Sequence, residues 1–255
     1  MDDAREEFTR LASALPSSLE ISMPDRREEM SDQEDALKAT FFVDSDHEDI
    51  IAKSRAIADG SEDDVQTAER LFYAVRDGFR YDPYNLATER EAFKASNILN
   101  DSATWCVPKS IVLTALARAS GIPARLGFAD VRNHLTSEKL TETMGTDLFA
   151  WHGYSELWLN GRWVKLSTAF NKELCDRFGV KALEFDPVEG ALMHPFDQSG
   201  RRHMEYVRER GTYLDLPLAD IFKTFAEVYP GWIIGPDGEA ARAEVKPASK
   251  DERFH

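Results

Sequence analysis

Cysteine is almost missing from this chain. Only Cys106 and Cys175 occur in 255 residues, too few for a disulfide framework at this size, although a single bridge between them stays open. No Cys-x-x-Cys or His-Glu-x-x-His spacing exists to preassemble ligands, so neither a metal nor another cofactor is expected. No apolar run approaches the length that spans a bilayer. The acidic start, Met1-Asp2-Asp3-Ala4-Arg5-Glu6-Glu7, has no apolar segment of a secretion signal, and a cytoplasmic location is expected. Positive charge is also short. Against 46 Asp and Glu stand 31 Lys and Arg, a formal net charge of −15, which repels nucleic acid and anionic lipid. The expected partner is a small molecule or a peptide, and the sequence does not fix an oligomeric state.

What is present is the mixture of a folded globular protein, 42% hydrophobic and 30% charged. Residues 1–40 mix short apolar patches with charge runs and form a lead-in. From a cap at Asp46, Ile50, Ile51, Ser54, Ile57 and Ala58 recur at helical spacing until Gly60; Ser61 then caps a second helix with Val65, Ala68, Leu71, Phe72 and Val75 on one face. An aromatic loop at 79–85 and the segment 95–100 lead to the cysteine. Either could line a pocket.

Trp105-Cys106 opens a helix in which Val107, Ile111, Val112, Leu113, Leu116 and Ala119 cover more than half the circumference, so the helix should be buried. Pro108 fits because the first turn has no backbone donor to lose. Cys106 therefore sits at a helix N-terminus, where unpaired amides and the positive end of the dipole favour a thiolate. Gly121 and Pro123 end the helix, and Ala124, Leu126 and Phe128 alternate as a strand. His134 falls in a polar connection and reads as a surface histidine.

Trp151-His152 begins a second alternating stretch that reaches Asn160-Gly161, the strongest short signal for a two-residue hairpin turn. In that register Leu159 faces Arg162, Trp158 faces Trp163, Glu156 faces Lys165, Tyr154 faces Ser167 and His152 faces Ala169. Ser167 then lies diagonal to His152 at a backbone separation of roughly 7–8 Å. Nucleophile, base and candidate orienter follow in chain order: Cys106, His152, Ser167. Spacing alone does not bring the first two together.

The cysteine helix, Gly121-Ile-Pro-Ala-Arg125, and His152-Gly-Tyr-Ser-Glu-Leu-Trp followed by Gly161-Arg-Trp-Val-Lys-Leu-Ser resemble the core of the transglutaminase-like superfamily. The similarity reaches upstream through Ser45-Asp46-His47 and Val75-Arg76-Asp77 and covers about residues 40–171. It implies a papain-like α+β fold, with the cysteine helix packed on an antiparallel sheet that carries the histidine. It also implies acyl transfer through a thioester, with Cys106 as nucleophile, His152 as base and Glu156 at an acidic position of the histidine strand. One departure is plain. The family's third member is usually an aspartate in Trp-Val-x-x-Asp-x-Thr, and here Trp163-Val164-Lys165-Leu166-Ser167-Thr168-Ala169 puts Ser167 at that place. A serine can hold an imidazole by a hydrogen bond but cannot offset its positive charge; a thiolate–imidazolium pair carries its own compensation.

The expected organisation is a lead-in at 1–40, a transglutaminase-like core at 41–171, an extension at 172–236 packed on the core, and a flexible tail at 237–255. The extension reads as short strands or loops followed by a helix from about Asp215, with Leu218, Ile221, Phe222, Phe225 and Val228 on one face, and is expected to roof the cleft. The expected function is a cysteine-dependent amidase, peptidase or acyltransferase. Catalytic candidates are Cys106, His152 and Ser167. Substrate or oxyanion candidates are Trp105, Glu156, Tyr81, Asn97 and Trp151, with Tyr84 as a further donor and His194, His203, Arg201 and Arg202 as surface groups that could meet an anion. The alternatives are a binding module that keeps the fold without chemistry, and an amine acyltransferase, lyase or cyclase on the same Cys–His pair.

Overall fold

The computed structural model describes residues 26–87, 89–133, 138–193, 204–229, 233–234 and 240–241. His134, His194, Arg201, Arg202 and His203 lie outside the described residues. The chain divides into two units, Met1–Asp32 and Gln33–His255. Of the first, only the start of helix α1 (Arg26–Asp35) is described; the second carries everything below.

Two amphipathic helices come first, α2 (Glu48–Ala58) and α3 (Asp64–Gly78). Each begins one or two residues later than the sequence suggests. The His47 ring, not Asp46, accepts the Asp49 amide, and Asp63, not Ser61, accepts the Gln66 amide. Two-residue strands β1 (Arg80–Tyr81) and β2 (Ala103–Thr104) pair in parallel around a short helix α4 (Ala95–Ile98) and deliver the chain to α5 (Cys106–Ala119). All of α5 from Cys106 to Arg118 is buried. Each of its large aliphatic side chains contributes about 1.5–3 kcal/mol by burial.

Behind α5 stands a four-stranded antiparallel sheet in the order β5-β4-β3-β6, built from β3 (Ala124–Asn133), β4 (Leu148–Leu159), β5 (Arg162–Leu166) and β6 (Met204–Tyr213), with helix α6 (Glu138–Met144) between β3 and β4. The fold is α+β. Ser155 on β4 donates to the Ser110 carbonyl at 3.0 Å and accepts from Thr114 at 3.0 Å, so helix and sheet are joined by buried polar contacts as well as apolar ones. Gly153 permits the approach: a Cβ there would stand 3.0 Å from the Val107 backbone. Gly153→Ala is expected to push α5 off β4 and lower the melting temperature, as thermal unfolding would register.

The hairpin has the register read from its sequence at the turn, with Leu159 opposite Arg162, Trp158 opposite Trp163 and Glu156 opposite Lys165. Asn160 and Gly161 both take positive φ, 51° and 80°, as this turn requires. Beyond Ser155–Leu166 the ladder stops. The expected pairs Tyr154–Ser167 and His152–Ala169 do not form, because β5 leaves β4 to bridge Ala191, whose carbonyl accepts the Ser167 amide at 2.7 Å.

The ten-residue strand β6 was not foreseen; its exposed stretch carries polar residues on both faces and lacks a buried alternation. Helices α7 (Lys172–Phe178) and α8 (Leu218–Val228) complete the unit, with a two-residue pairing of β7 (Ile233–Ile234) and β8 (Ala240–Ala241). No helix among the described residues is long and apolar enough to cross a membrane.

Candidate active site

Cys106 opens α5 and His152 lies on β4, and both line one narrow cavity of about 40 Å³ with Trp105, Tyr81, Phe225 and Tyr229. That volume has room for a few waters. The backbone amides of Gly153, Val107 and Cys106 favour the thiolate, yet burial outweighs them and pushes the thiol up to about 11. Burial likewise pulls His152 down to about 4. At rest the cavity is therefore lined by a neutral thiol and a neutral imidazole. The thiolate expected from the helix N-terminus alone is overridden by desolvation: Cys106 is 7% exposed, in a cavity walled by side chains from several elements, Tyr81, Phe149, Phe225 and Tyr229 among them.

A second, smaller cavity of about 20 Å³ is lined by His152, Ser167, Phe170 and Cys175 among others. His152 thus forms part of two linings, Cys106 belonging to one and Ser167 to the other. Among the described hydrogen bonds none joins the imidazole to Ser167 or to a carboxylate. Cys175 is a free buried thiol, as is Cys106, so the bridge left open by the sequence is not formed.

The remaining candidates separate clearly. Trp105 and Tyr81 line the Cys106 cavity. The indole N–H of Trp105 is buried with no partner among the described residues, and Tyr81 is held by its amide, which donates to the Asn171 side chain at 3.1 Å. Glu156 lines neither cavity. Arg125 takes its carboxylate at 2.7 Å, with Lys165 at 3.9 Å, so it belongs to an ion pair on the sheet and does not orient His152. Asn97 is exposed, donates to the Glu91 carbonyl at 2.8 Å and lines neither cavity. Trp151 is buried, and its indole donates to Thr224 at 2.9 Å; it lines neither cavity. Tyr84 is half-buried and lines neither.

Two groups escaped the sequence reading. Tyr229, four residues beyond Phe225 and so on the same face of α8, lines the cavity while its hydroxyl accepts the Ala150 amide at 2.7 Å and donates to the Leu148 carbonyl at 3.1 Å. Lys109, one turn into α5, is completely buried and donates to the carbonyls of Arg76, Phe79 and Ala169 at 2.8, 2.9 and 3.1 Å. Burial pulls its pKa down to about 7, while three acceptors match the three protons of its charged form. Among the described residues no cluster of side chains could hold a metal ion.

Residues 51–168 match the family model of the transglutaminase-like superfamily. A search of curated proteins finds no match. Among solved structures, similar chains include a candidate cysteine protease from Cytophaga hutchinsonii, at 14% identity and a TM-score of 0.46 over 72% of this chain and 47% of that one. Another is a candidate protease from Parabacteroides distasonis, at 11% identity and a TM-score of 0.34 over 53% of this chain and 25% of that one. A third is a TGase, at 14% identity and a TM-score of 0.31 over 67% of this chain and 39% of that one. This chain spans less than half the length of each. The stretch from 51 to 168, which includes both Cys106 and His152, is thus similar to the transglutaminase-like superfamily.

Proposed function

We propose that this protein is a cysteine-dependent acyl-transfer enzyme that hydrolyses a small or peptide-derived amide. The observation that supports it is the single cavity shared by a thiol at a helix N-terminus and a neutral imidazole. A neutral imidazole is the form that can accept a proton. As the sulfur attacks the carbonyl carbon, the Cys106 proton passes to His152. The oxyanion is held by the Cys106 amide and by the unpaired Trp105 indole N–H. His152 returns the proton to the leaving nitrogen, the C–N bond breaks, and a thioester remains. Water, deprotonated by His152, then attacks the thioester and releases the acid and the thiol.

The cavity favours small uncharged acyl groups, since among the described residues that line it none is Asp, Glu, Lys or Arg. p-Nitrophenyl acetate is therefore the first probe. Intact mass spectrometry should show one acetyl group on Cys106 and none in Cys106→Ala. Folded protein that takes up no acyl group from this ester, or from a wider panel of esters and amides, would instead favour a binding module, the reading that Ser167 in the aspartate position supports. Release of amide in place of acid when an amine is added would favour transfer over hydrolysis.

Ser167→Asp offers a separate check. A carboxylate in the small cavity shared with His152 should raise the imidazole pKa by a unit or more, since a nearby negative charge favours the cation. NMR titration of the ring would measure it, and an unmoved titration would remove position 167 from the site.

A further inference from the structure

Between Ala129 and Val131, β3 spends one residue, Asp130, while β4 spends two, Ala150 and Trp151, between their partners His152 and Phe149. This is a β-bulge, and Trp151 carries it at φ 57°, a left-handed conformation that a bulky side chain adopts only when held there. The register has a direct result. Ala129 and Val131 lie on one face of β3, so their partners His152 and Phe149, three apart in sequence, share a face of β4, and both line the Cys106 cavity. Without the extra residue they would point to opposite faces.

The neighbouring strand is irregular at the same level. On β6, Gly211 pairs with Phe128 and Glu209 with Ala129, which leaves Arg210 without a partner on β3. Asp130 stands between the two irregularities. Its Oδ1 accepts the Trp151 amide at 3.0 Å and the Arg210 Nε–H at 2.9 Å, and its Oδ2 lies 2.8 Å from an Arg210 terminal nitrogen. The guanidinium also lies over the Trp151 ring at 5.1 Å. Both partners are shielded, with the Asp130 side chain 6% and the Arg210 side chain 16% exposed, so the pair is more than a solvated surface bridge. A charged acceptor on the bulge amide, itself pinned by a bidentate cation, holds the backbone immediately before His152.

We propose that Asp130, braced by Arg210, is a positioning residue: its carboxylate holds the β4 bulge at Trp151 and thereby aims the His152 imidazole into the Cys106 cavity. This rests on the reading of His152 as the base, and nothing in it requires Asp130 to touch substrate. The groups facing the ring, Cys106, Tyr81 and Tyr229 on one side and Ser167, Cys175 and Lys181 on the other, are left unchanged by substitution at Asp130.

The test compares Asp130→Ala, Asp130→Asn and Arg210→Ala with the unaltered full chain. Two readouts are used: NMR titration of the His152 ring, and the rate at which p-nitrophenyl acetate acylates Cys106. In Asp130→Ala the ring should titrate at least one unit higher, towards an ordinary histidine, and acylation should fall at least about tenfold. Asp130→Asn keeps an acceptor for the Trp151 amide and should recover most of both. Arg210→Ala, which leaves the carboxylate unbraced, should fall between. Should Asp130→Ala not fold, the ordering of the other two decides, and Arg210→Ala no more altered than Asp130→Asn overturns the proposal. So does a folded Asp130→Ala whose ring titration and acylation rate match the unaltered protein, since that is the result of a purely structural role. His152→Ala run alongside separates this from the larger reading: if it acylates normally His152 is not the base, while a moved titration in Asp130→Ala would still establish that the carboxylate places the ring.

Discussion

Replacing His152 with glutamine is expected to slow acylation of Cys106 by on the order of 10²- to 10⁴-fold, the range that a positioned base supplies, and at the same time to make the protein more resistant to acid. The first effect follows because the thiol, pushed up to about 11, has almost no anion at neutral pH and depends on an acceptor for its proton. The second follows from the imidazole, held near 4 in the fold against 6.5 for an ordinary histidine. Its folded pKa is depressed, so between those values the unfolded chain binds more protons than the folded one. The stability it contributes is complete above about 6.5 and is lost as pH falls through about 4. A shift of that size corresponds to roughly 3 kcal/mol. Glutamine does not titrate, so urea unfolding at pH 7.5, 5.5 and 4 should show the variant gaining on the unaltered protein as the pH drops. A stability difference that stays constant over that range would mean that the imidazole is not buried in its neutral form.

The second large effect is expected at Lys109. Methionine fills a similar volume but leaves the carbonyls of Arg76, Phe79 and Ala169 without the donor they now share. An unmade hydrogen bond at a buried group costs about 1–3 kcal/mol, and relief from burying an ammonium offsets part of the sum. A net loss on the order of 3 kcal/mol is expected for Lys109→Met, read as a lower denaturant midpoint. Those carbonyls belong to the end of α3, the residue after it, and the segment beyond Ser167. The variant should therefore also disturb Tyr81 and Ser167, and so slow acylation more than a comparably destabilising change in α2, such as Ile50→Ala. Equal slowing by the two would reduce Lys109 to a general contributor to stability.

Much of this was legible in the residues. The α5 helix with Pro108 in its first turn, the Asn160-Gly161 turn and the amphipathic α8 depend on local rules, periodicity and turn chemistry, which act within a few residues. That Cys106 and His152 line one cavity is expected from the resemblance alone, because a pairing across 46 positions leaves no local trace. The failures have a common origin in longer-range structure. Ser167 is drawn away from β4 by Ala191, a partner 24 residues further on. Glu156 lies on the face expected from alternation, but Arg125 claims it from the neighbouring strand. The helix N-terminus at Cys106 leads the sequence to expect a thiolate, whereas burial raises the thiol, and that burial depends on residues distant in the chain, such as Phe225 and Tyr229, that line the same cavity. Asp130 carries no signal of its own; only the bulge opposite gives its carboxylate a purpose.

The small size of the chamber around the sulfur sets a condition on any turnover. Should a substrate larger than this space of about 40 Å³ be turned over, side chains that line it, such as those of Phe225 and Tyr229, would have to swing aside before reaction begins. If the swung-out form is one molecule in a hundred, apparent affinity falls a hundredfold below that of the open form, in proportion to its rarity. A partner or ligand that holds α8 aside would then act as an activator without contacting the sulfur at all.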